Sequence, residues 1–180
     1  MRPIRGIVSL RALAVSLAAA LAACAEPGIS APGGSAPLGV SVARVKNGPT
    51  LLACPGLRTE QASAVIGAAG GTLAVGGQLL SVPAGAVPAP TLFTMSVPPG
   101  PYLEIDVRAA GAVHYEFARP VSITIDYSRC RGQEVPLAID AWYIDASTKE
   151  PLADMNGVDD RSHRRLTFVT DHLSGYALAW

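Results

Sequence analysis

The sequence predicts an all-β protein, a compact antiparallel β-sandwich set behind a leader and a flexible tether. Three observations carry that reading. From Leu51 onward, about nine or ten short apolar or alternating runs recur at roughly 8–12-residue spacing. Glycine and proline clusters punctuate them, as turns between strands require. No stretch shows the 3.6-residue periodicity of an amphipathic helix. The boundaries that follow are 1–23 for the leader, 24–50 for the tether and 51–180 for the β-domain.

The N-terminal residues are expected to form a leader that takes no part in the folded domain. Arg2, Arg5 and Arg11 flank an apolar run from Ala12 to Ala23, too short for an ordinary membrane span. The run ends in Leu21-Ala22-Ala23-Cys24, which resembles the bacterial lipoprotein signal. That resemblance implies cleavage before Cys24 and lipidation of its thiol. Acyl chains would then hold the protein to a membrane at about 0.8 kcal/mol per buried CH₂. Ala25, standing where Asp would retain the protein at the inner membrane, implies outer-membrane sorting. A signal peptide cut elsewhere, with Cys24 incidental, is the alternative.

Charge and cysteine count fit an exported chain. The 180 residues carry 14 Lys and Arg against 14 Asp and Glu. Removing the leader takes away three arginines and no acid, for a formal charge of about −3. Nucleic acid, which needs a basic face, is therefore not an expected partner. Of three cysteines, Cys54 and Cys130 remain once Cys24 is lipidated. An even pair in an exported chain suggests a disulfide, with two free buried thiols as the alternative.

The strands follow in order. Glu26 to Pro37 is a Pro, Gly, Ser and Ala stretch that cannot order itself by burial, and serves as tether. Leu38 to Val45 is a first strand or more tether, and Asn47-Gly48-Pro49 is a break. Leu51 to Pro55 is a short apolar strand, and Gln61 to Ile66 leads into the organising stretch. There Thr72–Val75 and Gln78–Val82 form a hairpin around Gly76-Gly77, stopped by Pro83. Thr91–Val97 and Tyr102–Val107 are strands, the latter with Leu103, Ile105 and Val107 inward and Glu104, Asp106 and Arg108 in water. Ala112–Phe117 is a short strand closed by Arg119-Pro120, and Val121–Tyr127 alternates cleanly. Leu137–Ile144 is a buried strand with Trp142 and Tyr143 on opposite faces, and 145–149 is a turn. Leu152 to Arg165 is a solvated loop. Leu166–Thr170 and Tyr176–Trp180 are the last strands, bridged by Asp171–Gly175.

The organising stretch also carries a resemblance. Gly70-Gly71-Thr72-Leu73, a polar gap, then Leu80-Ser81-Val82-Pro83-Ala84-Gly85-Ala86 resembles the opening of the ZU-five domain. The likeness is sharpest over Ile66–Val97, weaker to Trp180 and absent before Leu51. It implies a β-sandwich used for protein contacts, non-catalytic and without a cofactor.

Candidate chemistry is sparse. His114, His163 and His172 show no paired metal-ligand spacing, so no metal site is expected. A hydrolase triad of Asp171, His172 and Ser174 fails if Asp171 faces away from His172 along an extended chain. Asp140 and Asp145 are available as a glycosidase pair, or as surface and turn acids. Exposed aromatics among Tyr102, Trp142, Tyr143 and Trp180 would suit a carbohydrate-binding face, although Trp142 lies in an apolar run that reads as core. Finally, His172-Leu173-Ser174 is similar to the cleavage sites of self-cleaving β-domains, among them ZU-five-containing adaptors. That resemblance implies His172 as base, Ser174 as nucleophile and the Leu173–Ser174 bond as target, with Gly175 permitting the strained turn. An ordinary corner is the alternative. The expected function is a lipid-anchored interaction module of the cell envelope that binds another protein, with glycan binding and self-cleavage as the other readings.

Overall fold

The computed structural model describes residues 48–180, Arg131 and Gln133 apart. The leader, Cys24 and the Leu38–Val45 run lie outside the described residues. Among the described residues the chain forms eleven strands and no helix. They are β1 (Glu60–Ile66), β2 (Gly71–Val75), β3 (Gln78–Val82), β4 (Thr91–Val97), β5 (Glu104–Ala109), β6 (Glu116–Asp126), β7 (Asp140–Ile144), β8 (Pro151–Asp154), β9 (Val158–Asp160), β10 (Arg165–His172) and β11 (Gly175–Ala179). Two antiparallel sheets result. One has six strands in the order β1-β4-β5-β11-β7-β8, the other five in the order β2-β3-β6-β10-β9.

The core follows from strand periodicity. Successive side chains point to opposite faces, so one alternating set per strand meets its counterpart across the sandwich. Phe93, Met95, Val97, Leu103, Ile105 and Val107 belong to the six-stranded sheet or its approach. They pack in one cluster with Leu73, Leu80, Val121, Ile123, Ile125, Leu166 and Phe168 of the other sheet. The Gly76-Gly77 hairpin is as the sequence implies, both glycines having positive φ (57° and 89°), which the two-residue turn demands. Gly70 is needed for a second reason: a Cβ there would strike the Val82 carbonyl oxygen.

Cys54 and Cys130 form a disulfide, with Cα atoms 4.6 Å apart across a separation of 76 residues. At the end of β6 the buried Gln78 amide does the work of a missing strand neighbour. It accepts from the Asp126 backbone N–H at 2.8 Å and donates to the Asp126 carbonyl at 3.1 Å. Glutamine at a buried strand position goes unread in sequence because nothing local marks what it bonds.

Four assignments change. Ala112–Phe117 is not a strand of its own. Residues 110–115 cross from β5 in one sheet to β6 in the other, and β6 runs unbroken through Pro120. Pro120 is tolerated there because the β6–β10 ladder slips between Thr170 and His172, so its missing N–H costs no ladder bond. Leu152–Arg165 is not merely a loop, since it holds β8 and β9. Both are edge strands, exposed along most of their length, so main-chain pairing rather than apolar patterning makes them. Leu51–Pro55 contributes only isolated bridges, Leu51 to Ala179 and Ala53 to Tyr102. Glu104, expected in water, is buried because Lys149 on the β7–β8 turn closes over it, Nζ lying 2.8 Å from its carboxylate.

Candidate functional site

A cluster of polar and aromatic groups forms where the chain changes sheets. β10 belongs to the five-stranded sheet and β11 to the six-stranded one, and only Leu173 and Ser174 separate them. The 110–115 crossover runs alongside. The Leu173 N–H donates to the Tyr115 carbonyl at 3.0 Å, and the Val107 N–H donates to the Ser174 carbonyl at 3.2 Å. Two neighbouring crossovers hold the sheets apart and leave a cleft of about 500 Å³. Its chemistry comes from Asp106, Arg108, His114, Tyr143, His172 and Ser174.

The half-buried His172 ring is at its centre. It stacks on His114 with centroids 6.2 Å apart and planes 27° apart, and it meets Tyr143 edge to face at 5.8 Å. Its Nδ1 lies 3.0 Å from Asp171 Oδ1 and 3.4 Å from Thr170 Oγ1. The expectation that Asp171 faces away from His172 is thus corrected. The backbone alternates, but the short carboxylate arm curls back along the ladder slip to the adjoining ring. That hydrogen bond from His172, and a backbone one after it, hold the Asp171 carboxyl below the ordinary carboxylate value. The Tyr176 hydroxyl donates to the His172 carbonyl at 2.7 Å and anchors the backbone there. At the cleft rim Arg108 Nε donates to Asp106 Oδ2 at 2.6 Å, and His114 Nε2 lies 3.3 Å from Glu116 Oε1.

Ser174 lies in the same cleft as His172, but among the described residues its hydroxyl makes no hydrogen bond with that ring or with any other group. Gly175 opens β11, paired with Ile144 and Asp106, and is not among the residues of positive φ. The strained turn expected at Gly175 is therefore absent, because the ladder claims that residue at once.

The remaining expected sites are dispersed. His163 sits at the far end of β10, bonded to Asp160 at 2.7 Å; Ser162 first, then His163, lowers the Asp160 carboxyl to about 2. Among the described residues no group of three His, Cys, Asp or Glu side chains converges as a metal site would. Asp140 accepts from the Ala141 and Gly157 N–H groups, and Asp145 caps the turn through Ser147 and Thr148. Both carboxylates are engaged with main chain. Trp142 is not core: Ala141 and Tyr143 take the inner face of β7, which leaves Trp142 half-buried on the outer face beside Ala177. Tyr102 and Trp180 are exposed and belong to other edges. Sequence reasoning named the His172–Ser174 pair, His114 and Tyr143 separately. It missed that they share one cleft, and missed Asp106 and Arg108, because four segments contribute them.

The fold and cleft define an all-β sandwich with an open polar–aromatic groove at its sheet crossover. No family model matches the chain, and a search of curated proteins finds no match.

Proposed function

We propose that this is a non-catalytic, ZU-five-like module, exported and held by lipid at Cys24 to the outer membrane, that binds another protein. The observation that supports a protein-binding role is the outer face of the five-stranded sheet. One cross-strand row runs Ala74, Leu79, Thr124, Thr167, Val158, and the next runs Thr72, Ser81, Ser122, Val169. Neither row holds a charged residue, and Val158 and Val169 are 75% and 60% exposed. Protein interfaces differ from ordinary surface chiefly in losing charge at their centre, and a flat Ser, Thr and Val face meets that condition. Small side chains also let another flat surface approach closely.

The test is crosslinking in intact cells, comparing the native chain with a Thr124→Arg, Val169→Arg double variant. The expected result is one crosslinked species lost in the variant while the melting temperature holds. Retention of that species in the variant would overturn the face assignment. Cys24→Ser should release the chain from membranes, and palmitate labelling of that variant would reject the anchor.

A further inference from the structure

We propose that the crossover cleft is a binding site for a neutral saccharide, a function separate from the sheet face. The cavity of about 500 Å³ lies within the usual range of small-ligand pockets, at about 300–1,000 Å³. The occupant must satisfy its walls, and these narrow the chemistry stepwise.

An anion is disfavoured by the fixed charges. Among the residues lining the cleft, Asp106 and Arg108 carry the fixed charges and engage each other at 2.6 Å, while Glu116 and Asp171 lie beside it bonded to His114 and His172, so no free cation is left for an anion. An apolar ligand would strip water from that ion pair without replacing the bonds. A metal ion finds no convergent three-ligand set among the described residues. A polyhydroxylated neutral ligand fits each wall. A hydroxyl donates and accepts at once, so adjacent hydroxyls can accept from Arg108 and donate to Asp106 without breaking their pair. The Tyr143 and Ser174 hydroxyls, which make no hydrogen bond among the described residues, supply further partners. The His114, His172 and Tyr143 rings, held against one another at 5.8–6.2 Å, offer aromatic surface to the C–H face of a pyranose. The His172 ring, half-buried and bonded to Asp171, is already restrained and loses little entropy on binding.

The experiment titrates the full chain with glucose, cellobiose, maltose, lactose and diacetylchitobiose, each to about 10 mM, the regime of weak single-site binding. Sodium glucuronate and inorganic phosphate serve as anionic comparisons. Calorimetry gives affinity, and histidine side-chain NMR gives location. The expected result is saturable binding of at least one neutral sugar that shifts the His114 and His172 resonances. Tyr143→Ala should weaken it about tenfold or more and Arg108→Ala several-fold. Trp142→Ala, on the opposite face of the same sheet, should leave it unchanged. Arg108 is 73% exposed, so its variant remains informative if Tyr143→Ala fails to fold. Absence of saturation by every neutral probe would overturn the proposal. So would tighter binding of glucuronate or phosphate, or binding lost with Trp142→Ala and kept with Arg108→Ala.

Discussion

The two ends of the sandwich are built on different principles. At one end, β6 leaves the sheet at Asp126 and the chain is fastened there several times over. Cys130 is bridged to Cys54, and the Tyr127 hydroxyl donates to Asp159 at 2.7 Å. The Gln78 amide answers both backbone groups of Asp126. Burial pushes the Asp126 carboxyl up, but bonds from Ser128 and the nearby Arg165 outweigh it and hold it below its ordinary value. Arg164 Nε is the one buried side-chain polar atom without a hydrogen-bond partner among the described residues. At the other end, β10 passes to β11 through two residues, and ring contacts with a few backbone hydrogen bonds, rather than a disulfide, hold the crossovers together. Ser174 and Tyr143 line a cleft, and among the described residues their hydroxyls make no hydrogen bond. The comparison teaches a division of labour: stability is concentrated where polar groups are satisfied internally, and binding capacity where they are left for a ligand.

Breaking the fastened end should have the largest effect. Reducing Cys54–Cys130, or replacing both by Ala, should cost about 4 kcal/mol by the loop-entropy argument for a long loop. Scanning calorimetry should show a melting temperature lower by roughly 10 °C. An unchanged melting temperature on reduction would mean that the fastening lies elsewhere.

Gln78→Ala comes next. It leaves a buried N–H and carbonyl at Asp126 unanswered and opens a void, for about 3 kcal/mol. Denaturant titration measures it, with an unaltered slope.

A third comparison sets one tyrosine from each end against the other. Burial, and after it the Asp159 bond, raise the Tyr127 hydroxyl to about 12. Burial raises Tyr176 to about 12 as well, against an ordinary 10.0. Both groups are neutral in the fold where the unfolded chain would ionise them. Their stabilising contribution is complete below pH 10 and is lost as pH rises from 10 through about 12. Phenolate absorbance should therefore show two late tyrosines that appear together with unfolding. Titration of either before the other tyrosines would remove that end's share.

The smallest effect is expected at the open end. Ser174→Ala removes a hydroxyl that makes no hydrogen bond among the described residues and should change stability by less than about 0.5 kcal/mol. Intact mass after denaturation should show Ser174–Trp180 retained in both the native chain and the variant. Loss of that peptide from the native chain alone would make the open end a self-cleaving site.

How much of this was legible depends on how far apart the interacting residues lie. Alternation in Val121–Tyr127 marks its core side without reference to anything else, because pleating fixes the side-chain period at two. The Gly76-Gly77 turn is similarly self-contained. β8 and β9 escaped notice because an edge strand can be polar on both faces and is specified by its neighbour's hydrogen bonds. The Arg119-Pro120 stop misled for the matching reason: proline's missing N–H matters only if a partner's carbonyl stands opposite, and the ladder slip decides that.

The sequence by itself determined the class of fold, the hairpin, the inward residues Leu103, Ile105, Val107 and those of Val121–Tyr127, and the presence of one cysteine pair beyond Cys24. Each rests on backbone geometry or on counting, within a few residues of chain. Tertiary structure decided that Cys54 and Cys130 meet across 76 residues and that Gln78 answers Asp126 across 48. It also put Trp142 outside and brought Asp106, His114, Tyr143 and His172 to one cleft. Those outcomes depend on strand order and on where the chain changes sheets, which is settled by the joint burial of all the strands and is written in no single segment.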